Sequence, residues 1–183
     1  QTYDSIIQQE RRNFEKFGVG NGIAQAYNHV ILPLANKEDK VTQIKWGIAD
    51  FKHRFSHHPI GMWLPETAVD NETLSILADN NIRFTMLAPW QIQSNEELTY
   101  DQPYLISLPG NREPMIVFLY DRNLSTLVSF RPEATRNAKR LWFRPFLTID
   151  AVIVYQSSPP SFTSLPRSPF QIQRHTLSLL SSR

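Results

Sequence analysis

Four short segments hold the side chains best suited to chemistry: Tyr27-Asn28-His29, Trp63-Leu64-Pro65-Glu66, Ala88-Pro89-Trp90-Gln91 and Tyr120-Asp121-Arg122. Each follows an apolar run short enough to be a strand, and in parallel α/β sheets the ends of strands are where active sites lie. A carboxylate that follows Trp and Pro suits glycoside chemistry, because Trp63 or Trp90 offers a face for a sugar ring and Pro65 holds Glu66 rigidly. Spacing alone leaves an equal alternative, in which Glu66 starts a helix and its charge suits the dipole. His29 could bind a substrate hydroxyl, but the residues by themselves favour a satisfied, buried histidine. Trp46, between Ile44 and Ile48, reads as packing. His53 and His57 have the helical ligand spacing, with His58 alongside, yet the Glu of His-Glu-x-x-His is missing and Pro59 interrupts the helix. A solvated helix end is therefore expected there rather than a metal site. With no cysteine, thiolate nucleophiles, zinc-thiolate sites and iron–sulfur clusters are excluded, and a reducing, cytoplasmic setting is expected.

These residues need a frame, and residues 22–133 alternate apolar strands with amphipathic helices in the α/β pattern. Gly22–Tyr27 reads as a strand of small residues. Asn36 reads as an N-cap for a helix carrying Val41, Ile44, Ile48, Phe51 and Phe55 at spacings of three and four, ended by Pro59. Ile60–Leu64 reads as a buried strand. Asp70 is expected to cap a second helix with Leu74, Leu77 and Ala78 on its buried face, closing at Asn80-Asn81 before a strand over Ile82–Leu87. Tyr104–Leu108 and Met115–Tyr120, joined by Pro109–Pro114, read as an antiparallel β-hairpin.

The chain has 183 residues, 41% of them hydrophobic and 20% charged, so one globular domain is expected. The first residue is Gln rather than Met, which points to processing or to a piece of a longer frame. No apolar run reaches a membrane-spanning length and Gln1–Glu10 is polar, so no membrane partner is expected. The net charge of +2 is unevenly spread: residues 134–183 carry seven Lys and Arg against Asp150 alone, while residues 1–133 carry twelve against sixteen acids. The basic excess lacks interleaved aromatics, so nucleic acid is not expected as a partner either. Residues 134–183 also contain eight serines, five prolines and no glycine. That composition predicts a poorly structured tail, of the kind translation in a shifted frame produces, with one possible strand at Val152–Tyr155.

Taken together, Ile23–Leu34 with its His-x-x-Leu-Pro-Leu pattern, Asp39–Phe51, Gly61–Asp70 with Trp-Leu-Pro-Glu, and Phe84–Pro89 resemble glycoside hydrolase family 57. The resemblance is nearest to the bacterial branch with a further uncharacterised region, spans about residues 3–131, and thins out by residue 133. It implies a partial (β/α)7-type barrel of the glycoside hydrolase and deacetylase kind over 1–133, with a β-hairpin insertion. It further implies a retaining glycoside hydrolase or 4-α-glucanotransferase acting on α-1,4-glucans, with Glu66 as nucleophile, no metal and no cofactor. His29, Trp63, Asp70, Trp90 and Gln91 are the implied and expected substrate contacts.

The family's first strand, with a His-x-Gln-Pro-like motif, is expected ahead of Gln1. Its acid/base Asp belongs to a Ser-Asp-Gly-Glu-like strand that nothing in residues 134–183 matches. Asp121 and Asp150 are the remaining candidates, and the isolated chain is expected to be inactive. The alternative is a non-catalytic carbohydrate-binding remnant of such a barrel. A metal-dependent deacetylase is a third possibility, but its ligand set is not evident. An incomplete barrel leaves sheet edges open, so marginal stability or association is also expected.

Overall fold

The computed structural model describes residues 2–95, 97–136 and 178–179. A first helix, α1 (Thr2–Phe17), precedes the expected α/β pattern, with Asp4 in its first turn and Lys16 in its last, as the helix dipole favours. Strand β1 (Ala24–Gln25) leads to α2 (Lys37–Phe55), β2 (Met62–Trp63), α3 (Asn71–Asp79) and β3 (Phe84–Leu87). After β4 (Ile92–Gln93) come β5 (Tyr104–Ile106), β6 (Met115–Leu119), α4 (Arg122–Phe130), α5 (Pro132–Thr135) and β7 (Ser178–Leu179).

Strands β1 and β2 pair in parallel, as do β3 and β6, while β5 runs antiparallel to β6 as the outer half of the expected hairpin. A parallel bridge between Gly61 and Phe84 joins the two groups, reinforced by the Thr85 hydroxyl donating to the Met62 carbonyl at 2.8 Å. The effective order is therefore β1-β2-β3-β6-β5. The four parallel strands all end on the same edge, and α3 connects the neighbouring parallel strands β2 and β3. β7 pairs antiparallel with β4. Asp150 and Val152–Tyr155 lie outside the described residues.

Helix α2 begins where the sequence places it: the Asn36 side chain accepts the Asp39 N–H at 2.8 Å. Its end differs from expectation. Ser56 adopts a left-handed conformation (φ 64°) and its N–H bonds back to Lys52, so the helix stops ahead of Pro59. Ile44, Ile48 and Phe51 enter the core, and Val41 and Phe55 flank it. Trp46 departs from the packing expectation, being 53% exposed. At 100° per residue it lies on the opposite side of the helix from Ile44, and its ring meets Tyr27 edge-on at 5.6 Å. Gly47 lets α2 close onto β1, since a Cβ there would sit 2.0 Å from the Gln25 carbonyl oxygen.

Helix α3 contributes Leu74, Ile76 and Leu77, and the sheet adds Met62, Leu87, Ile106, Met115 and Val117 to the same core. Burial of each such side chain is worth about 1.5–3 kcal/mol. This one layer of helix against sheet holds the strand ends in register.

Candidate active site

The shared edge of β1, β2, β3 and β6 carries His29, Glu66, Trp90-Gln91 and Asp121 in that order. Leu64 and Pro65 are buried beneath a tight turn, Pro65–Thr67, which lifts the Glu66 side chain out to 75% exposure. Glu66 (φ 55°, ψ 20°) and Thr67 (φ 52°) are both left-handed. For residues with a Cβ this costs roughly 1–2 kcal/mol each, and such strain collects at functional sites. The turn is closed by the Thr67 N–H bonding to Leu64 at 2.9 Å and the Ala68 N–H to Pro65 at 3.0 Å.

His29 is also left-handed, at φ 55°. Its Nε2 lies 3.6 Å from Glu66 Oε1 with the imidazole side chain 53% exposed, which corrects the expectation of a satisfied buried histidine. The separation is an electrostatic contact, longer than a hydrogen bond. The turn after β1 forces the ring outward, beside the carboxylate.

The two site tryptophans lie in different cavities. Trp63 shares one of about 760 Å³ with Gln25, Tyr27, Asn28, Asp50 and Arg54, on the β1 and α2 side. Trp90 shares one of about 450 Å³ with Tyr120, Arg122, Ser125, Thr126 and Phe130, at the ends of β3 and β6. Trp90 is 51% exposed, meets the Tyr120 ring edge-on at 5.9 Å, and has the Arg122 guanidinium 5.3 Å from its ring centre. Neither cavity counts Glu66 or His29 in its lining.

The other expected contacts are engaged with protein. Gln91 Oε1 accepts the Ala88 N–H at 2.8 Å, and Nε2 donates to the Thr67 carbonyl at 2.6 Å. Asp70 caps α3 by accepting the Thr73 N–H at 2.7 Å on Oδ1, while Oδ2 accepts from Lys40 at 2.7 Å. Lys40 is buried and also donates to Glu72 at 2.9 Å. Burial pushes the Asp70 carboxyl up, but hydrogen bonds from Lys40 and Thr73 outweigh it and hold the group below its ordinary value. Burial likewise works to lower the Lys40 pKa, and its two acidic partners leave it raised. The sequence carried a signal for this clamp: Lys40 precedes Ile44 and Ile48 on one apolar stripe, where a charge needs a partner.

Asp121 caps α4, its Oδ1 accepting the N–H groups of Asn123 at 2.7 Å and Leu124 at 3.0 Å. It follows β6, two strands from β2, a backbone separation of roughly 9–10 Å. A retaining pair needs its carboxyls roughly 5–5.5 Å apart, so both side chains would have to lean over β3.

Away from this edge, His57 Nε2 meets the buried Glu10 at 3.0 Å, and the His58 ring meets the Asn80 carbonyl at 3.2 Å. Among the described residues no group of three or more His, Cys, Asp or Glu could hold a metal ion, and no helix is long and apolar enough to cross a membrane.

Nothing among curated proteins matches the chain. Among solved structures, a 4-alpha-glucanotransferase from Thermococcus litoralis superposes with a TM-score of 0.55 at 22% identity, covering 73% of this chain and 20% of that enzyme. The α-amylase AmyC from Thermotoga maritima gives 0.55 at 23% identity, covering 69% and 24%. A branching enzyme from Thermococcus kodakaraensis gives 0.52 at 24%, covering 67% and 27%. The chain thus spans about a fifth to a quarter of these enzymes, and at such identities the likeness shows the fold, that of (β/α)7-barrel enzymes. The model of glycosyl hydrolase family 57 matches residues 6–161, which take in the whole His29-to-Asp121 edge and run past residue 133. Because that match spans well over half of the chain, the chain belongs to glycosyl hydrolase family 57.

Proposed function

We propose that this chain is the nucleophile-bearing segment of a retaining glycoside hydrolase or 4-α-glucanotransferase acting on α-1,4-glucans. The observation that carries the reading is Glu66, raised on a strained turn at a strand end and facing His29 at 3.6 Å. Glu66 attacks the anomeric carbon as the glycosidic bond breaks, forming a glycosyl ester that water or a sugar hydroxyl then resolves. Which of the two arrives decides hydrolysis or transfer. His29 binds a hydroxyl of the sugar at the bond being broken, and Trp63 and Trp90 offer stacking faces to either side of Glu66. Asp70 and Gln91, with polar atoms bound to protein, support the site more than they contact sugar. Lack of cysteine supports a cytoplasmic setting.

The leaving oxygen needs a proton, for which Asp121 is the described candidate. Its use as the α4 cap favours a second reading, in which the isolated chain binds glucan without turning it over.

5-Fluoro-α-glucosyl fluoride separates these readings, because fluoride leaves without acid assistance. A C1–O bond forms to the Glu66 carboxylate as the C1–F bond breaks, so intact mass should show one added fluoroglucosyl group, and Glu66→Gln should abolish it. Absence of the adduct, together with a tryptophan fluorescence change on adding maltooligosaccharide, would instead support the binding remnant.

A further inference from the structure

The Gln91 amide connects two stretches of backbone that the chain keeps far apart. Oε1 accepts the Ala88 N–H at the end of β3, and Nε2 donates to the Thr67 carbonyl in the turn after β2. Only one orientation of the amide serves both partners, because the N–H needs an acceptor and the carbonyl needs a donor. The Gln91 N–H bonds to the Ala88 carbonyl at 3.0 Å as well, so the base of this strut is anchored twice. At its far end Glu66 and Thr67 are both left-handed, a conformation disfavoured for any residue with a Cβ and most of all for a β-branched one such as Thr67. Such strain persists only where the surroundings over-determine it. The bonds from Thr67 to Leu64 and from Ala68 to Pro65 are internal to the turn, whereas the Gln91 bond reaches it from another strand.

We infer that Gln91 is a positioning residue for the nucleophile: its amide locks the Glu66–Thr67 turn in the left-handed form that aims the carboxylate outward beside His29. Gln91 acts through the Thr67 carbonyl and makes no contact with sugar. The inference rests on the proposed role of Glu66 and extends it to the group that sets its aim.

The test uses the 183-residue chain and the rate at which Glu66 is labelled by 5-fluoro-α-glucosyl fluoride. Gln91→Ala should slow labelling by about 10- to 100-fold, the loss that misplacing a reacting group by about 1 Å produces. Adding Thr67→Gly, which adopts φ near 50° freely, should bring the rate back to within about threefold of the parent. Gln91→Glu supplies an independent arm. When protonated, its carboxyl donates to the Thr67 carbonyl as the amide does; when ionised it sets oxygen against oxygen. Its labelling rate should therefore fall, relative to the parent, as pH rises through the titration of that carboxyl.

Parent labelling with an unchanged rate in Gln91→Ala would overturn the inference and leave the nucleophile reading standing. Slow labelling that Thr67→Gly does not restore would overturn the strut. If Gln91→Ala fails to fold, a Gln91→Glu rate that tracks the parent at every pH would overturn it. No labelling of the parent would remove the nucleophile reading, and this inference with it.

Discussion

Glu10 and Glu66 stand at opposite ends of the same parallel strands and have opposite surroundings. Glu10 is 4% exposed, accepts the N–H groups of Asn21 at 2.6 Å and Gly22 at 2.8 Å, and meets His57 at 3.0 Å. Phe14 stacks on that imidazole at 4.8 Å, and Gly20 makes room for the carboxylate, since a Cβ there would fall 1.5 Å from Oε1. Glu66 is 75% exposed on a strained backbone and, among the described residues, faces His29 alone at beyond hydrogen-bond distance. A carboxylate with its lone pairs filled by fixed donors joins a helix to a loop and has nothing left to attack with. One held outward with lone pairs open carries a backbone penalty that no hydrogen bond of its own carboxylate offsets, the observation on which the proposed role of Glu66 rests.

The sharpest way to break this contrast is Glu10→Ala, which leaves two backbone N–H groups and His57 without their acceptor. It should cost about 3 kcal/mol in urea unfolding, in line with leaving several buried hydrogen-bonding groups without their partner. A loss below the noise of the measurement would show that α1 docks without Glu10.

Asp70 is the intermediate case, a carboxylate near the candidate site yet bound to Lys40 and Thr73. Its folded pKa is depressed, so its stabilisation is complete above the ordinary carboxylate range and is lost as pH falls through the folded value. Lys40 is raised, so its contribution is complete below its ordinary value and is lost as pH rises through the folded value. Asp70→Asn, which keeps a capping oxygen but drops the charge, should cost about 1 kcal/mol at neutral pH and flatten the acid limb of the stability profile. An unchanged acid limb would place the acid sensitivity elsewhere.

At Glu66 the expected stability changes are smallest and opposite in sign. Glu66→Gly should stabilise the fold by about 1 kcal/mol through relief at φ 55°, and Glu66→Gln should stay within about 0.5 kcal/mol of the parent. Destabilisation by either one, measured by thermal melting, would make Glu66 a structural residue like Glu10.

Much of the frame was legible. Asn36 and Asp70 cap the helices they were expected to cap, because N-capping is a local interaction within three residues. The stripe of Ile44, Ile48 and Phe51 lies inside because helical periodicity is local as well. Helix α1 leaves little trace in the sequence, since its one buried residue is a glutamate and its apolar residues Tyr3, Ile6, Phe14 and Phe17 remain exposed. The neighbours of His29 read as a buried site because the left-handed turn that exposes it leaves no mark in composition. Neighbouring apolar residues hide the place of Trp46 on the outer face of α2, where its ring packs on Tyr27 but stays half exposed.

Periodicity, caps and chain punctuation act within a few positions, so the α/β order of residues 22–133, the starts of α2 and α3 and the strand-end segments can be read from the residues alone. Which partner each of these side chains meets depends on tertiary structure. Pairing β1, β2, β3 and β6 in parallel set His29 beside Glu66, turned Gln91 onto the Thr67 carbonyl and gave Asp70 to Lys40 thirty residues away. Hydrogen bonds and ion pairs act over a few ångströms, and which groups come that close depends on how distant strands align.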